Sequence, residues 1–213
     1  MHTEILSQTQ TELLPHIAKF KRSFYLVGGT AIALHIGHRR SIDFDLFTFS
    51  QTLKKSYLKD KIFQIPFPKR FIAEDVEQIH FLINGVKTTF FAYPFDIPHK
   101  EKFENIITLP SLLPLAAMKA YALGRRAKWK DYLDLYFILK NYFSLDEISA
   151  EAEKIFGDMF SEKMFRQQLA FHKDIDYSEE VEFLPNYFVE KQEVKDFLIE
   201  QSLKNRKLVT NCN

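Results

Sequence analysis

Cysteine is almost missing: the chain of 213 residues has one, Cys212, near its end. A lone thiol can close no internal disulfide and complete no zinc site of several thiolates, so a packed core must hold the fold, and a reducing cytoplasm suits it. Glycine and proline are also scarce, 6 and 8 residues, which excludes a collagenous or low-complexity chain. Charge of one sign is not in excess. With a net charge of +1, no global field draws the chain to nucleic acid or a membrane, and any such contact needs a local patch. Long apolar runs are lacking too. Phe24 to Ile36 carries His35 and falls short of the ~20 residues of a membrane span, and no charged n-region with a cleavage site precedes it. What remains is 46% hydrophobic residues with 22 Phe, enough for one large domain or two small ones with a real core.

Periodicity organises the chain. Ile5, Leu13, Leu14, Ile17 and Ala18 predict an amphipathic helix over Glu4 to Lys19. Phe24 to Val27 reads as a strand stopped by Gly28-Gly29-Thr30, with a helix from Ala31 to His35 directly after it. From Ser41 to Phe49 the pattern alternates, so that Ile42, Phe44 and Leu46 face one way and Asp43 and Asp45 the other. A surface helix over Gln51 to Phe63 ends at Pro66 and Pro68. Arg70 to Ala73, Gln78 to Ile83 and Val86 to Tyr93 read as strands, the last two joined by the Asn84-Gly85 hairpin signal. Helical spacing then takes over at Leu112–Leu123, Trp129–Tyr142, Leu145–Phe156, Glu162–His172 and Lys191–Asn205, and Ser144 with Glu147 forms a capping box. The expected fold is α+β: a mixed sheet with flanking helices over 1–100, followed by a helical domain over 101–213.

Two carboxylates at i and i+2 on one strand face, beside a glycine turn that opens a helix, suit phosphate chemistry. Magnesium takes one or two carboxylates from a protein and fills its shell with substrate phosphates and water. Bare N–H groups at a helix N-terminus favour an anionic phosphate. The bland alternative for Asp43 and Asp45 is an exposed strand face with ion pairs to Arg39 and Arg40. Arg125, Arg126, Lys128 and Lys130 around Trp129 form the one basic cluster with an interleaved aromatic, open to two readings: an RNA-binding patch or a solvated helix junction.

Val27-Gly28-Gly29, thirteen residues, then Asp43-Phe44-Asp45-Leu46 resembles the signature of the polymerase-β-like nucleotidyltransferase superfamily. More narrowly, Tyr25 to His35 with Gly37 to Phe47 is similar to the AbiEii/AbiGii toxin family. Asn84 to Lys87 running through Tyr93-Pro94-Phe95, Ala116 to Lys119, and Lys130 to Tyr136 resemble further motifs of that family. The resemblance covers about Phe24 to Leu139. It implies a nucleotidyltransferase with Mg2+ or Mn2+ that moves a nucleoside monophosphate from an NTP to RNA, tRNA or protein. It further implies the toxin of an abortive-infection or toxin–antitoxin system, a cognate antitoxin, and a cytoplasmic setting without membrane. By resemblance, Asp43 and Asp45 bind the metal, and Gly28, Gly29, Thr30, Arg40 and Ser41 hold phosphates. Lys119 and Lys130 then approach the nucleotide, and Asp131 and Asp134 complete a helical motif, in a cleft between the two domains. On the residues alone, Asp131 and Asp134 share a helix face and Lys130 reaches Asp134 at i+4, which is also what a surface ion pair would give. Lys119, on a largely apolar helix, needs a phosphate or an aspartate as partner.

The third carboxylate common in the superfamily falls at Thr89, and no Asp or Glu lies between Asn84 and Tyr93. Either the acceptor is activated differently or the chain is a silent relative that binds a nucleotide or a partner. A kinase-like phosphotransferase would use the same metals and phosphate loop.

Overall fold

The computed structural model describes residues 1–204, so Asn205 and Cys212 lie outside the described residues. Among these residues the chain forms eight α-helices and seven strands, gathered into two compact units. The first is Met1–Leu115 together with Val181–Tyr187, and the second is Ala116–Glu180 together with the chain from Phe188 onward. No helix among the described residues is long and apolar enough to cross a membrane.

The first unit is built on a mixed five-stranded sheet. Its strands are β1 (Tyr25–Val27), β2 (Phe44–Phe49), β3 (Lys69–Glu74), β4 (Gln78–Ile83) and β5 (Val86–Tyr93), in the order β1-β2-β5-β4-β3. Only β2 and β5 run parallel. Asn84 and Gly85 both take positive φ, 52° and 78°, as the type I′ hairpin between β4 and β5 demands. One sheet face carries Phe44, Leu46, Ile79, Phe81, Thr88 and Phe90, all buried. Phe20 and Phe24 pack edge-on against Phe90, with ring centroids 4.8 and 5.2 Å away. The helices α1 (Gln8–Ile17), α2 (Gly28–Ile36) and α3 (Lys55–Phe63) complete this unit.

Several boundaries depart from the expected ones for local reasons. The first helix runs only over Gln8–Ile17, because Ser7 and Gln10 cap it reciprocally, and short 3-10 turns flank it. Helix α2 begins at Gly28 and not at Ala31, so both glycines belong to its first turn. Strand β2 begins at Phe44, and Ile42, expected on the core face, is 59% exposed: the Asp43 carbonyl is taken by the Thr30 hydroxyl and not by a strand partner. Helix α3 starts at Lys55, after a turn in which the Ser50 hydroxyl donates to the Thr52 carbonyl. A hairpin of β6 (Glu101–Phe103) and β7 (Ile107–Leu109) was not expected. It turns at Glu104, φ 49°, and buries Phe103, Ile107 and Leu109.

The second unit contains α5 (Trp129–Asn141), α6 (Leu145–Phe156), α7 (Glu162–Ala170) and α8 (Lys191–Leu203), with most of α4 (Leu112–Leu123). The Ser144–Glu147 capping box forms as expected. Helix α7 stops at Ala170, short of His172, whose ring reaches back to the Leu169 carbonyl at 2.7 Å.

Candidate active site

The glycine turn exists because two side chains press on it. Gly28 has φ 72°, and a Cβ there would strike the Asp45 carboxylate. A Cβ on Gly29 would lie 2.6 Å from Nη2 of Arg39 and 3.2 Å from the Ser41 hydroxyl. Arg39 itself is 2% exposed. The turn therefore lets the Asp45 carboxylate and the Arg39 guanidinium pack closely against the first residues of α2, an approach that a side chain at Gly28 would block.

Thr30 and Ser41 are buried beneath that turn. The Thr30 hydroxyl donates to the Asp43 carbonyl and lies 2.9 Å from Ser41 Oγ, fixing the lead into β2 and so the height of Asp43. Arg40 turns away from this cluster. Its Nε donates to Glu182 at 2.6 Å and its Nη1 to the Glu4 carbonyl at 3.1 Å, tying 181–187 and the N-terminal segment to this loop.

Asp43 and Asp45 are both half-buried, on the sheet face opposite the Phe44 and Leu46 core. Across the sheet, Val27, Asp45, Thr89 and His80 form one row on β1, β2, β5 and β4. Strand neighbours stand about 4.8 Å apart, and paired residues share a face, so Thr89 is next to Asp45. Thr89 is 7% exposed, and its Oγ1 is 3.1 Å from Nδ1 of His80. Burial pushes the His80 imidazole below its ordinary value, and Lys87 pushes it further, against a smaller pull from Asp75.

Two carboxylates are a donor set that magnesium accepts from a protein, and the missing Gly28 side chain lets the Asp45 carboxylate lie directly against the glycine turn. Among the described residues no group of three or more His, Cys, Asp or Glu is assembled to hold an ion. A metal on Asp43 and Asp45 would therefore draw its other ligands from substrate and water.

The other site residues named from the sequence lie in the second unit. Lys119, 6% exposed, pairs with Asp131 and lies 3.0 Å from Asp134; these carboxylates are 1% and 0% exposed. Arg126 Nε donates to Asp131 at 2.8 Å. Burial pushes the Asp131 carboxyl up, but Lys119 and Arg126 more than offset it and hold it below its ordinary value. Of the two partners the sequence allowed Lys119, the aspartates are there. Lys130 lies 3.3 Å from Glu179, which also pairs with Lys128. In the same region Arg125 stacks on Tyr121, and Trp129 is buried beside Tyr177, their rings 5.4 Å apart. These contacts favour the helix-junction reading of the basic cluster, since Trp129 offers no free face to a base and Lys128, Lys130 and Arg126 meet carboxylates.

Two residues of the first unit escaped the sequence reading. Arg39 appeared there only as an ion-pair partner. His80 lies in no motif, yet the hairpin fixes its place: counting back from the Ile83–Val86 pair puts His80 opposite Thr89.

Residues 12–79 match the family model described as nucleotidyl transferase AbiEii toxin, type IV toxin–antitoxin system, a span that holds the glycine turn and both aspartates. An uncharacterized protein of Aquifex aeolicus (strain VF5) is 29% identical, over 91% of this chain and 98% of its own length. Among solved structures, MenT4, a nucleotidyltransferase toxin of Mycobacterium tuberculosis H37Rv, superposes with a TM-score of 0.63 at 12% identity, covering 92% of this chain and 82% of that one. JHP933 from Helicobacter pylori gives 0.54 at 16% identity, covering 92% and 91%. At these identities the two structures establish the fold, the mixed sheet with flanking helices that the sequence implied.

Proposed function

We infer that this chain, whose residues 12–79 match the AbiEii nucleotidyltransferase toxin model, moves a nucleoside monophosphate from an NTP to an acceptor as the toxin of a type IV toxin–antitoxin pair. One observation carries the reading: the Asp45 carboxylate is held against Gly28, so that the carboxylate pair and the phosphate-receiving turn form a single site. The N–H groups of Gly28 and Gly29 would receive the triphosphate, with the Arg39 guanidinium beside Gly29 adding positive charge. Asp43 and Asp45 would hold Mg2+ or Mn2+, which when bound neutralises phosphate charge and polarises the reacting phosphorus. Thr30 and Ser41 set the position of Asp43 from below. Following the family, we propose RNA or tRNA as the acceptor class, a cognate antitoxin as partner and the cytoplasm as the place of action. Within the second unit, Lys119 is held in place by Asp131 and Asp134, and Lys130 by Glu179.

The test is transfer of label from each α-labelled NTP to total RNA with Mg2+ or Mn2+. Asp43→Asn and Asp45→Asn should abolish transfer while the circular dichroism spectrum stays that of the parent. Folded variants with full activity would overturn the assignment. A second reading, a silent relative that binds NTP without transfer, is favoured by one observation: a hydroxyl, Thr89, occupies the position beside Asp45. NTP binding by calorimetry with no transfer to RNA or protein would select it.

A further inference from the structure

The place beside Asp45 is not simply short of a carboxylate. The row that contains Asp45 and Thr89 continues to His80 on β4, and the imidazole is hydrogen-bonded to the Thr89 hydroxyl at 3.1 Å. Three adjacent strands thus present a carboxylate, a hydroxyl and an imidazole on one face, the last about two strand spacings, or ~10 Å, from the first. We propose that His80 is the general base of this site, taking the proton of the acceptor hydroxyl, and that Thr89 is the positioning residue that fixes its ring. The proposal rests on the nucleotidyl-transfer reading above and adds to it the group that activates the acceptor.

The chemistry follows from the two ring nitrogens. When Nδ1–H donates to Thr89 Oγ1, the lone pair of Nε2 is left for an incoming proton. The acceptor oxygen attacks the α-phosphorus of the NTP and forms the new P–O bond. The bond from that phosphorus to the bridging oxygen breaks, and pyrophosphate leaves with the electron pair. The acceptor proton passes to Nε2 and from there to solvent, so charge and atoms balance with no further reactant. His80 is partly accessible while Thr89 is buried, as suits a base that meets substrate and a hydroxyl that only orients it. The charged groups acting on the ring are Lys87 on β5 and Asp75 before β4; Lys87 opposes its protonation.

The experiment uses the full chain, α-labelled NTP and total RNA, with Asp45→Asn as reference. His80→Ala and His80→Gln should each lower the transfer rate by about 10²–10⁴-fold, the span of a general-base contribution. NTP affinity by calorimetry should stay within about two-fold, since the base acts on the acceptor. The glutamine variant can keep the contact to Thr89 without a basic nitrogen, so it separates lost chemistry from a disturbed fold. Added imidazole should raise the rate of His80→Ala and leave Asp45→Asn inactive. Thr89→Val should lower kcat in the same direction, and Thr89→Ser should restore it. Transfer that is lost in Asp45→Asn but intact in His80→Gln overturns the role of His80 alone. An absence of imidazole rescue in folded His80→Ala does the same. A parent chain that transfers nothing overturns both the function and this proposal.

Discussion

At the residue scale the site depends on two missing methyl groups, and their costs differ. A side chain at Gly28 must adopt φ 72° and also displace the Asp45 carboxylate. At Gly29 the backbone is ordinary, and the obstacle is the tip of Arg39, 2.6 Å from the added carbon. Backbone strain of the first kind costs about 1–3 kcal/mol by itself, and moving Asp45 removes a proposed metal ligand. Gly28→Ala is therefore expected to lose transfer and that much stability or more, measured by urea unfolding. Gly29→Ala should be destabilised less. Equal losses in both variants would mean that neither φ nor Asp45 distinguishes the positions. Arg39 shows why part of this site stayed hidden in the sequence. In a run of Gly37 to Ser41 nothing marks which arginine is buried, because that choice follows from Arg40 being drawn to Glu182 and the N-terminal segment.

At the scale of elements, strand register does most of the work. The parallel pairing of β2 with β5 sets Asp45 beside Thr89, and the Asn84-Gly85 turn sets Thr89 beside His80. Thr89→Asp would then put a third carboxylate on the face of Asp45, with the His80 imidazole beside it to donate a hydrogen bond. It is expected to raise the Mg2+-dependent rate, and a folded variant no faster than the parent would show that the hydroxyl does not limit catalysis. These strands were legible because their signals are local: alternation in Asp43 to Leu46, a two-residue turn at Asn84-Gly85, and four-residue apolar repeats in the helices. The β6–β7 hairpin was not, since three-residue strands carrying Glu101 and Lys102 show no period, and only packing of Phe103, Ile107 and Leu109 makes them strands. Likewise the return of Val181–Tyr187 to the first unit rests on contacts distant in sequence. The Arg39–Phe183 bridge and the Tyr187 hydroxyl donating to the Ile36 carbonyl are among them.

At the scale of the whole molecule, the second unit buries a cluster of charged groups whose disruption should lower that unit's stability. Lys119 is set among Asp131 and Asp134, all nearly inaccessible, and Arg126 closes the outer side of Asp131. Deleting one partner of such a buried pair leaves uncompensated charge and costs about 3–5 kcal/mol, whereas an exposed pair is worth under about 1. The chain's single tryptophan, Trp129, is buried in this same unit, so its fluorescence reports the unit's unfolding. Lys119→Met should shift that transition to lower urea concentration by an amount in this range. The carboxyl of Asp131 adds a pH dependence of fixed sign. Its folded pKa lies below the ordinary 3.8, so it stabilises the unit above that value, and the stabilisation is lost as pH falls through the folded pKa. The Trp129 transition should therefore hold steady down to about pH 4 and weaken below it. In Lys119→Met the carboxyl loses the cation that held its pKa down, so the same weakening should begin at higher pH. An acid profile unchanged by Lys119→Met would mean that Arg126 alone sets the ionisation of Asp131.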